Sequence, residues 1–221
     1  MLNLLEQILP SLLRGSAMTL FITLLAAPLV CVIALGVAFA RLSRWRSIRV
    51  AANVYLELFR GTSLLVQLFY FFYVVPLFGL TLEPITTGVL VLGLNLGAYA
   101  SEIARAAIVS VPRGQHDACV TLGMSPRLAM SRIIFPQAAL IMLPSAGTML
   151  VELLKATSIL SLITITELSF AATSLFQTTG NIQIIYFGTL FLYFAMAWML
   201  TLFMRGVEAR LGVGRETQFP T

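Results

Sequence analysis

Five stretches of this chain are too long and too apolar for a water-soluble fold: about 16–40, 50–76, 85–108, 138–166 and 183–204, each with few or no ionisable groups. Each reaches the roughly 20 residues that cross about 30 Å of hydrocarbon. With 59% hydrophobic and only 10% charged residues, the chain lacks the polar surface to cover a soluble domain. The runs read as helices, because an open sheet leaves its edge groups unsatisfied in lipid and none of the runs shows the regular alternation of a barrel strand. The expectation is an all-α polytopic membrane protein, a single transmembrane domain over residues 1–221 with five spans.

Charge placement orients those spans. The formal charge of +5 is gathered in three blocks: Arg41, Arg44, Arg46 and Arg49 after the first span, Arg113, Arg127 and Arg132 between the third and fourth, and Arg205, Arg210 and Arg215 after the last. The connections around 77–84 and 167–182 hold Glu83 and Glu167 but no basic residue. This distribution argues against nucleic acid as a partner. Under the positive-inside rule it places the amino terminus outside and the carboxyl terminus in the cytoplasm, which requires an odd number of spans. Residues 1–9 contain no Lys or Arg, so the positive region of a cleaved signal peptide is missing and the first run is expected to be retained. The loop 41–49, with Trp45, has the make-up of a cytoplasmic boundary meeting anionic lipid phosphate.

Residues 1–15 suit a short interfacial helix around Pro10 or a frayed terminus, and Pro28 should bend the first span. Within the spans, polar residues stand out against their surroundings. Glu57 and Arg60 lie three apart and are expected to compensate each other; Glu102 and Arg105 repeat the spacing. Gly93 and Gly97 permit close backbone approach, and Asn95 between them serves either helix packing or substrate contact. Lys155, one turn after Glu152, falls near the middle of the fourth span once Pro144 divides off an initial segment. A lone ammonium there is costly, so Lys155 is either paired with Glu152 or open to a water-filled path. Thr157, Ser158, Ser161 and Thr164 serve packing or that path. Residues 167–182 fit an outer connection with room for a further short helix.

The one long polar interruption is 112–136, PRGQHDACVTLGMSPRLAMSRIIFP. Pro112 opens a short helix ending near Gly123, and Ser125 with Pro126 reads as the N-cap and first position of a second, closed before Pro136. Such a loop is either shaped to be gripped or is merely interfacial.

Enzyme signatures are missing from the sequence. There is no GxxxxGK[ST] phosphate loop, and Gly212-Val-Gly214 has no strand before it, reading as a flexible tail. His116 is the only histidine and has no cysteine pair beside it, while Cys31 and Cys119 read as small apolar fillers. Glu102 as a proton relay would be a single acid beside an arginine, too little to indicate proton coupling.

Gly114-Gln115-His116-Asp117-Ala118-Cys119 through Leu122-Gly123-Met124, then Ile133-Ile134-Phe135-Pro136-Gln137-Ala138, resembles the EAA loop of ABC importer permeases, particularly the polar amino acid family. Further matches cover most of the chain: Gly15 with Thr19-Leu20 and Thr23-Leu24; Tyr55-Leu56-Glu57-Leu58-Phe59-Arg60-Gly61-Thr62-Ser63 with Gln67; Tyr99 with Glu102-Ile103-Arg105; and Leu154-Lys155-Ala156-Thr157-Ser158. Asp117 stands where glutamate is usual, Cys119 replaces the second alanine and Phe135 a frequent leucine.

The resemblance implies the type I importer permease fold, in a multi-pass bacterial inner-membrane chain that binds no cofactor of its own. It implies pairing with a related or identical second permease above two cytoplasmic ATPase subunits that carry ATP and Mg. A periplasmic or lipid-anchored substrate-binding protein would deliver a polar amino acid or related small zwitterion. Gln115, Asp117, Ala118, Cys119, Leu122, Gly123, Met124 and Pro136 would then form the ATPase-coupling element. Lys155, Thr157 and Ser158 are the first candidates for the substrate path, followed by Asn95, Glu102, Gln67 and Glu152. Permeases for ectoine-like compatible solutes or opines share this chemistry. An ion-coupled secondary transporter is the alternative of another class, disfavoured because no internal duplication is visible.

Overall fold

The computed structural model of the chain describes residues 2–212, with side-chain surroundings from Ile8 to Leu211. Arg215 and the Val213–Gly214 part of the tail lie outside them. Among the described residues the structure is helical without strands: α1 Leu2–Arg41, α2 Arg46–Gly61, α3 Leu64–Phe69, α4 Pro84–Val109, α5 Arg113–Thr121, α6 Pro126–Ala129, α7 Phe135–Ala156, α8 Leu168–Thr179 and α9 Ile182–Gly212. Four helical stretches are long and apolar enough to span a membrane, and α2 with α3 and its continuation to Phe78 forms a fifth, bent by 101°.

The α1–α4 contact organises the rest. A Cβ on Gly93 would lie 2.5 Å from Leu29 Cδ2, and one on Gly97 would lie 2.7 Å from Ile33 Cγ2. Bare backbone at these two positions is what admits the branched side chains of α1. Four residues along one helix match four along the other, so α1 and α4 run parallel. The bent α2–α3 leg is therefore the return crossing, and the five spans expected from the charge blocks are present.

That second span is not one plain helix over 50–76. Thr62 and Ser63 adopt extended backbone, which ends α2 and restarts the chain as α3. Amides repair the break: Gln67 Nε2 donates to the Phe59 carbonyl at 3.0 Å and to Thr62 Oγ1 at 2.7 Å, and Asn95 Nδ2 donates to the same Phe59 carbonyl at 2.9 Å. Helix-end carbonyls left bare in hydrocarbon cost several kcal/mol each, and here they are occupied.

Three further boundaries differ from expectation. Among the described residues of the 1–15 stretch no separate interfacial helix forms, since α1 runs from Leu2 through Pro10 and Pro28 to Arg41. The second helix of the polar loop does not close before Pro136. It passes through a π turn, Met130–Ile134, into α7, with Phe135 N–H donating to the Met130 carbonyl. This wider turn makes room for a proline ring that has no N–H to give. Pro144 likewise sits inside an uninterrupted α7 and divides nothing.

Beyond α7 the helix tightens to a 3₁₀ segment, Thr157–Ile163, ended by Thr164 in the left-handed region at φ 63°. Hydroxyls drive this change: Thr157, Ser158 and Ser161 each donate to the carbonyl three residues back, at 2.8 Å. The chain then turns into α8, the expected short helix of the 167–182 connection. Its N-cap, Glu167, is fully buried. The carboxylate accepts from Ser169 N–H at 2.9 Å, Phe170 N–H at 2.8 Å and the Tyr193 hydroxyl of α9 at 2.9 Å, while Thr19 of α1 accepts from Leu168 N–H at 3.2 Å. One acid thus ties α8 to α1 and α9. Burial pushes its carboxyl above the ordinary range, and the hydrogen bonds from Ser169, Phe170, Tyr193 and Thr19 pull it only partway back.

Three apolar clusters run along the bundle, from Ile8, Leu12 and Ile185 under α8, through Ile22, Leu92 and Leu153 at the centre, to Ala107, Ile134 and Ala138 beneath α5. Two outcomes follow. Gly97→Leu overpacks the α1–α4 seam and should cost about 1–3 kcal/mol, read as a lower thermal midpoint in detergent; an unchanged midpoint would refute the close approach. An acid raised in the folded state stabilises below the ordinary carboxylate pKa and loses that contribution as pH rises through the raised value. Glu167→Gln should therefore flatten a decline of the thermal midpoint with rising pH, and the same slope in the variant would exclude Glu167 as its source.

Candidate functional site

The polar residues fall into four groups on different parts of the bundle. The first lies on α7. Lys155 Nζ meets Glu152 Oε1 at 3.0 Å, and the two side chains are 60% and 52% exposed. They pair, as one of the two readings of the sequence holds, yet they also remain open on the surface of the single chain. Their depth is fixed by packing: Leu160 sits against Gly88, near the start of α4, so Lys155 lies roughly 9 Å further into the span. Ser158 is half-buried beside them, its hydroxyl on the Lys155 carbonyl. Thr157 is fully buried and points back at the Leu154 carbonyl, away from that exposed face.

Gln67 and Asn95 lie elsewhere, buried together at the α2–α3 break, where the Asn95 amide also donates to Gln67 Oε1 at 3.1 Å. Glu102 belongs to a third group at the arginine-rich end of the span. Its carboxylate is met by Arg41 at 2.7 Å, Arg105 at 3.3 Å and Arg60 at 3.5 Å, from α1, α4 and α2. The Arg60 guanidinium also lies 5.3 Å from the Tyr99 ring centroid. The expected Glu57–Arg60 compensation is therefore replaced: Arg60 turns to α4, and Glu57 lies exposed without an ion pair among the described residues. Spacing along one helix finds Arg105 but carries no signal for Arg41 or Arg60, which arrive from other helices. Glu167 is the other residue that sequence reasoning leaves in a loop; an acid immediately before an apolar helical run is the available capping signal.

The fourth group is the polar loop. α5 starts after Pro112 and ends in a Schellman turn: Gly123 at φ 68°, its N–H on the Val120 carbonyl at 2.9 Å and Met124 N–H on the Cys119 carbonyl at 3.0 Å. The second helix begins as the sequence indicates, with Ser125 Oγ accepting from Leu128 N–H ahead of Pro126. Gln115, Asp117, Ala118, Leu122, Gly123 and Pro136 are exposed. Cys119 is not: it turns inward onto Ala107, Ile108, Val111, Ile134 and Ala138, with Met124 packed beside it. Its role is to seat α5 on the elbow between α4 and α7, and the outward surface is carried by its neighbours, including the strongly exposed Val120 and Leu122. Exposed apolar side chains at the tip of a polar loop mark a surface made to be covered.

Comparison with known proteins identifies the family. Residues 32–213 match the family described as binding-protein-dependent transport system inner membrane component. The L-cystine transport system permease protein TcyB of Bacillus subtilis is 39% identical over 91% of this chain and 87% of its own length. The glutamine transport system permease protein GlnP of Escherichia coli is 30% identical over 93% and 94%. A solved amino acid ABC transporter with histidines superposes with a TM-score of 0.86 at 32% identity, covering 93% of this chain and 96% of that one. The MetNI methionine ABC transporter in an inward-facing conformation shares the fold, with a TM-score of 0.82 at 15% identity and coverage of 93% and 98%. The chain is a member of the binding-protein-dependent transport system inner membrane component family, the permease subunits of ABC importers.

Proposed function

We propose that this chain imports a polar amino acid or a related small zwitterion as one of a pair of permeases, its solute path running along the exposed face of α7. The observation that carries this reading is the Lys155–Glu152 pair, both side chains more than half exposed deep in a span. Hydrocarbon cannot surround such a pair, so that face must meet water or a second permease. A zwitterion carries one charge of each sign, and an ammonium 3.0 Å from a carboxylate presents both partners at once. Ser158 adds a hydroxyl at the same level. Relatives named for cystine and glutamine transport support an amino acid as cargo.

In this reading the amino terminus faces the periplasm and the arginine-rich ends face the cytoplasm. A periplasmic or lipid-anchored binding protein delivers the solute from outside. Two ATPase subunits holding ATP and Mg grip α5 from inside, with Asp117 offering an anion to a donor and Ala118 allowing close approach. Nucleotide-driven closure of those subunits moves α5, and α7 carries the motion to the Lys155 level. Gln67 and Asn95 hold the α2–α3 break, and Glu102 with its arginines holds the inner end; we assign them to shaping the path more than to touching cargo.

Lys155→Gln should lower uptake in proteoliposomes about tenfold or more, with assembly and basal ATPase activity retained. Unchanged uptake would remove α7 from the path. Gly123→Leu places a branched side chain at φ 68°, a conformation costing roughly 1–2 kcal/mol for an L-residue, with no atom nearby to clash. Membrane insertion should survive while stimulation of the ATPase by loaded binding protein is lost. Normal transport with normal stimulation would sink the coupling role.

A further inference from the structure

A cavity of about 160 Å³ lies behind α7, between that helix, α1 and α4. Short side chains hold it open: Ala100 on α4 and Ala146 on α7 stop where a leucine would fill the space. Phe135 closes the end toward the arginine-rich surface, its ring 5.9 Å from that of Phe39. The mouth lies at Cys31 on α1, the exposed member of the lining. Leu29 and Ile33, two residues to either side of Cys31, pack on Gly93 and Gly97 in the middle of α4, which puts the mouth at hydrocarbon depth.

The lining selects the guest. It contains no hydroxyl, amide or charged side chain, and an apolar cavity of roughly 150 Å³ stays dry and takes up benzene. Soft sulfur stands on two walls, Met142 and Met149 on α7 and Cys31 on α1, with the Phe135 ring at the end. Sulfur gains on an aromatic ring what it does not gain on a saturated chain. Ala146 and Lys155 are nine residues apart, roughly 180° around an α-helix, so the cavity lies on the side of α7 away from the exposed charged pair. Leu24, 63% exposed and two turns before Cys31 on the same side of α1, continues the mouth as apolar surface. A guest therefore arrives from the bilayer.

We propose that this cavity binds one small uncharged aromatic molecule taken up from the bilayer, and that the guest blocks transport by wedging α7 against α1 and α4. An acyl chain is longer and thinner than the space and gains nothing from the sulfurs. The block rests on α7 being the helix that moves in the transport reading. The binding does not, and a static α7 would leave it unchanged.

The probe is trifluoromethyl phenyl diazirine, photolysed with the full-length chain in nanodiscs and mapped by mass spectrometry. Labelling of Met142 and Met149 should saturate, and benzene should displace it at a concentration about threefold or more below that needed of cyclohexane. Labelling of Phe187 and Phe191 on the exposed face of α9 should rise without saturation, as open bilayer contact does. Ala146→Leu and, from the other wall, Ala100→Leu should each remove the saturable labelling and spare that of α9. In the complex with ATPase and binding protein, benzene should lower the stimulated ATPase rate about threefold or more without shifting the binding-protein concentration at half-stimulation, and neither filled variant should respond to it. Four results would each overturn the site: unsaturable labelling of the two methionines, equal displacement by benzene and cyclohexane, saturable labelling that survives both substitutions, or equally strong labelling of the methionines by a phospholipid with the diazirine on its acyl chain. A full stimulated rate with the cavity occupied would overturn the wedge.

Discussion

Hydrocarbon offers no hydrogen bonds, and this constraint explains where the polar residues of the chain are found. At three places where the backbone leaves the α-helix inside or beside the membrane, a side chain is brought to the groups set free. Gln67 and Asn95 meet the carbonyls exposed by the α2–α3 bend. Thr157, Ser158 and Ser161 turn their hydroxyls on their own carbonyls where α7 tightens. Glu167 takes two free N–H groups at the start of α8, where helix and carboxylate are buried together. Each repair holds a bend in a fixed place, so the irregular points are joints of defined geometry.

Charge obeys the same logic with a different result. Glu102 draws Arg41, Arg60 and Arg105 from three helices, closing the arginine-rich end of α1, α2 and α4 into one unit. Lys155 and Glu152 are compensated only by each other and lie on an open face. A protein that can surround one carboxylate with three guanidinium groups has the means to bury a charge. On the proposed reading, the α7 pair is left uncovered for what lies outside the single chain, a second permease and the solute of the path.

Much of this is legible in the sequence because the membrane restricts the choices. Apolar run length and arginine placement yield five crossings, and Gly93 with Gly97 marks a seam that the structure closes on Leu29 and Ile33. Gly123 and Ser125-Pro126 encode a turn in their own local chemistry, and both stand where that chemistry puts them. Inference from proline and from pairs along one helix fails. Pro136 and Pro144 predict interruptions, but a π turn absorbs the first and α7 passes through the second. Spacing pairs Arg60 with Glu57, three residues away, yet a carboxylate on another helix wins. Cys119, small and within the loop, gives no sign of which way it faces. These outcomes depend on neighbours distant in sequence, which a single chain read in order does not display.

The failure at the prolines changes the mechanics. Had the chain closed before Pro136, a pull on α5 would have been lost in a flexible joint before it reached the span. The structure instead gives an unbroken helical path from Pro126 through the π turn and α7 to Ile163. α5 is bound to the base of that path by the Cys119 and Met124 contacts with Ile134 and Ala138. Displacement of α5 must then either move α7 as a body or break a packed apolar cluster. The helix next changes form at the 3₁₀ segment beginning at Thr157, immediately beyond Lys155. The helix is thus continuous up to the charged pair and changes form just past it, while α8 stays tied to α1 and α9 through Glu167. On the proposed reading, a body movement of α7 would carry the Lys155 level against the far-side helices, where a path that changes its exposed side needs it.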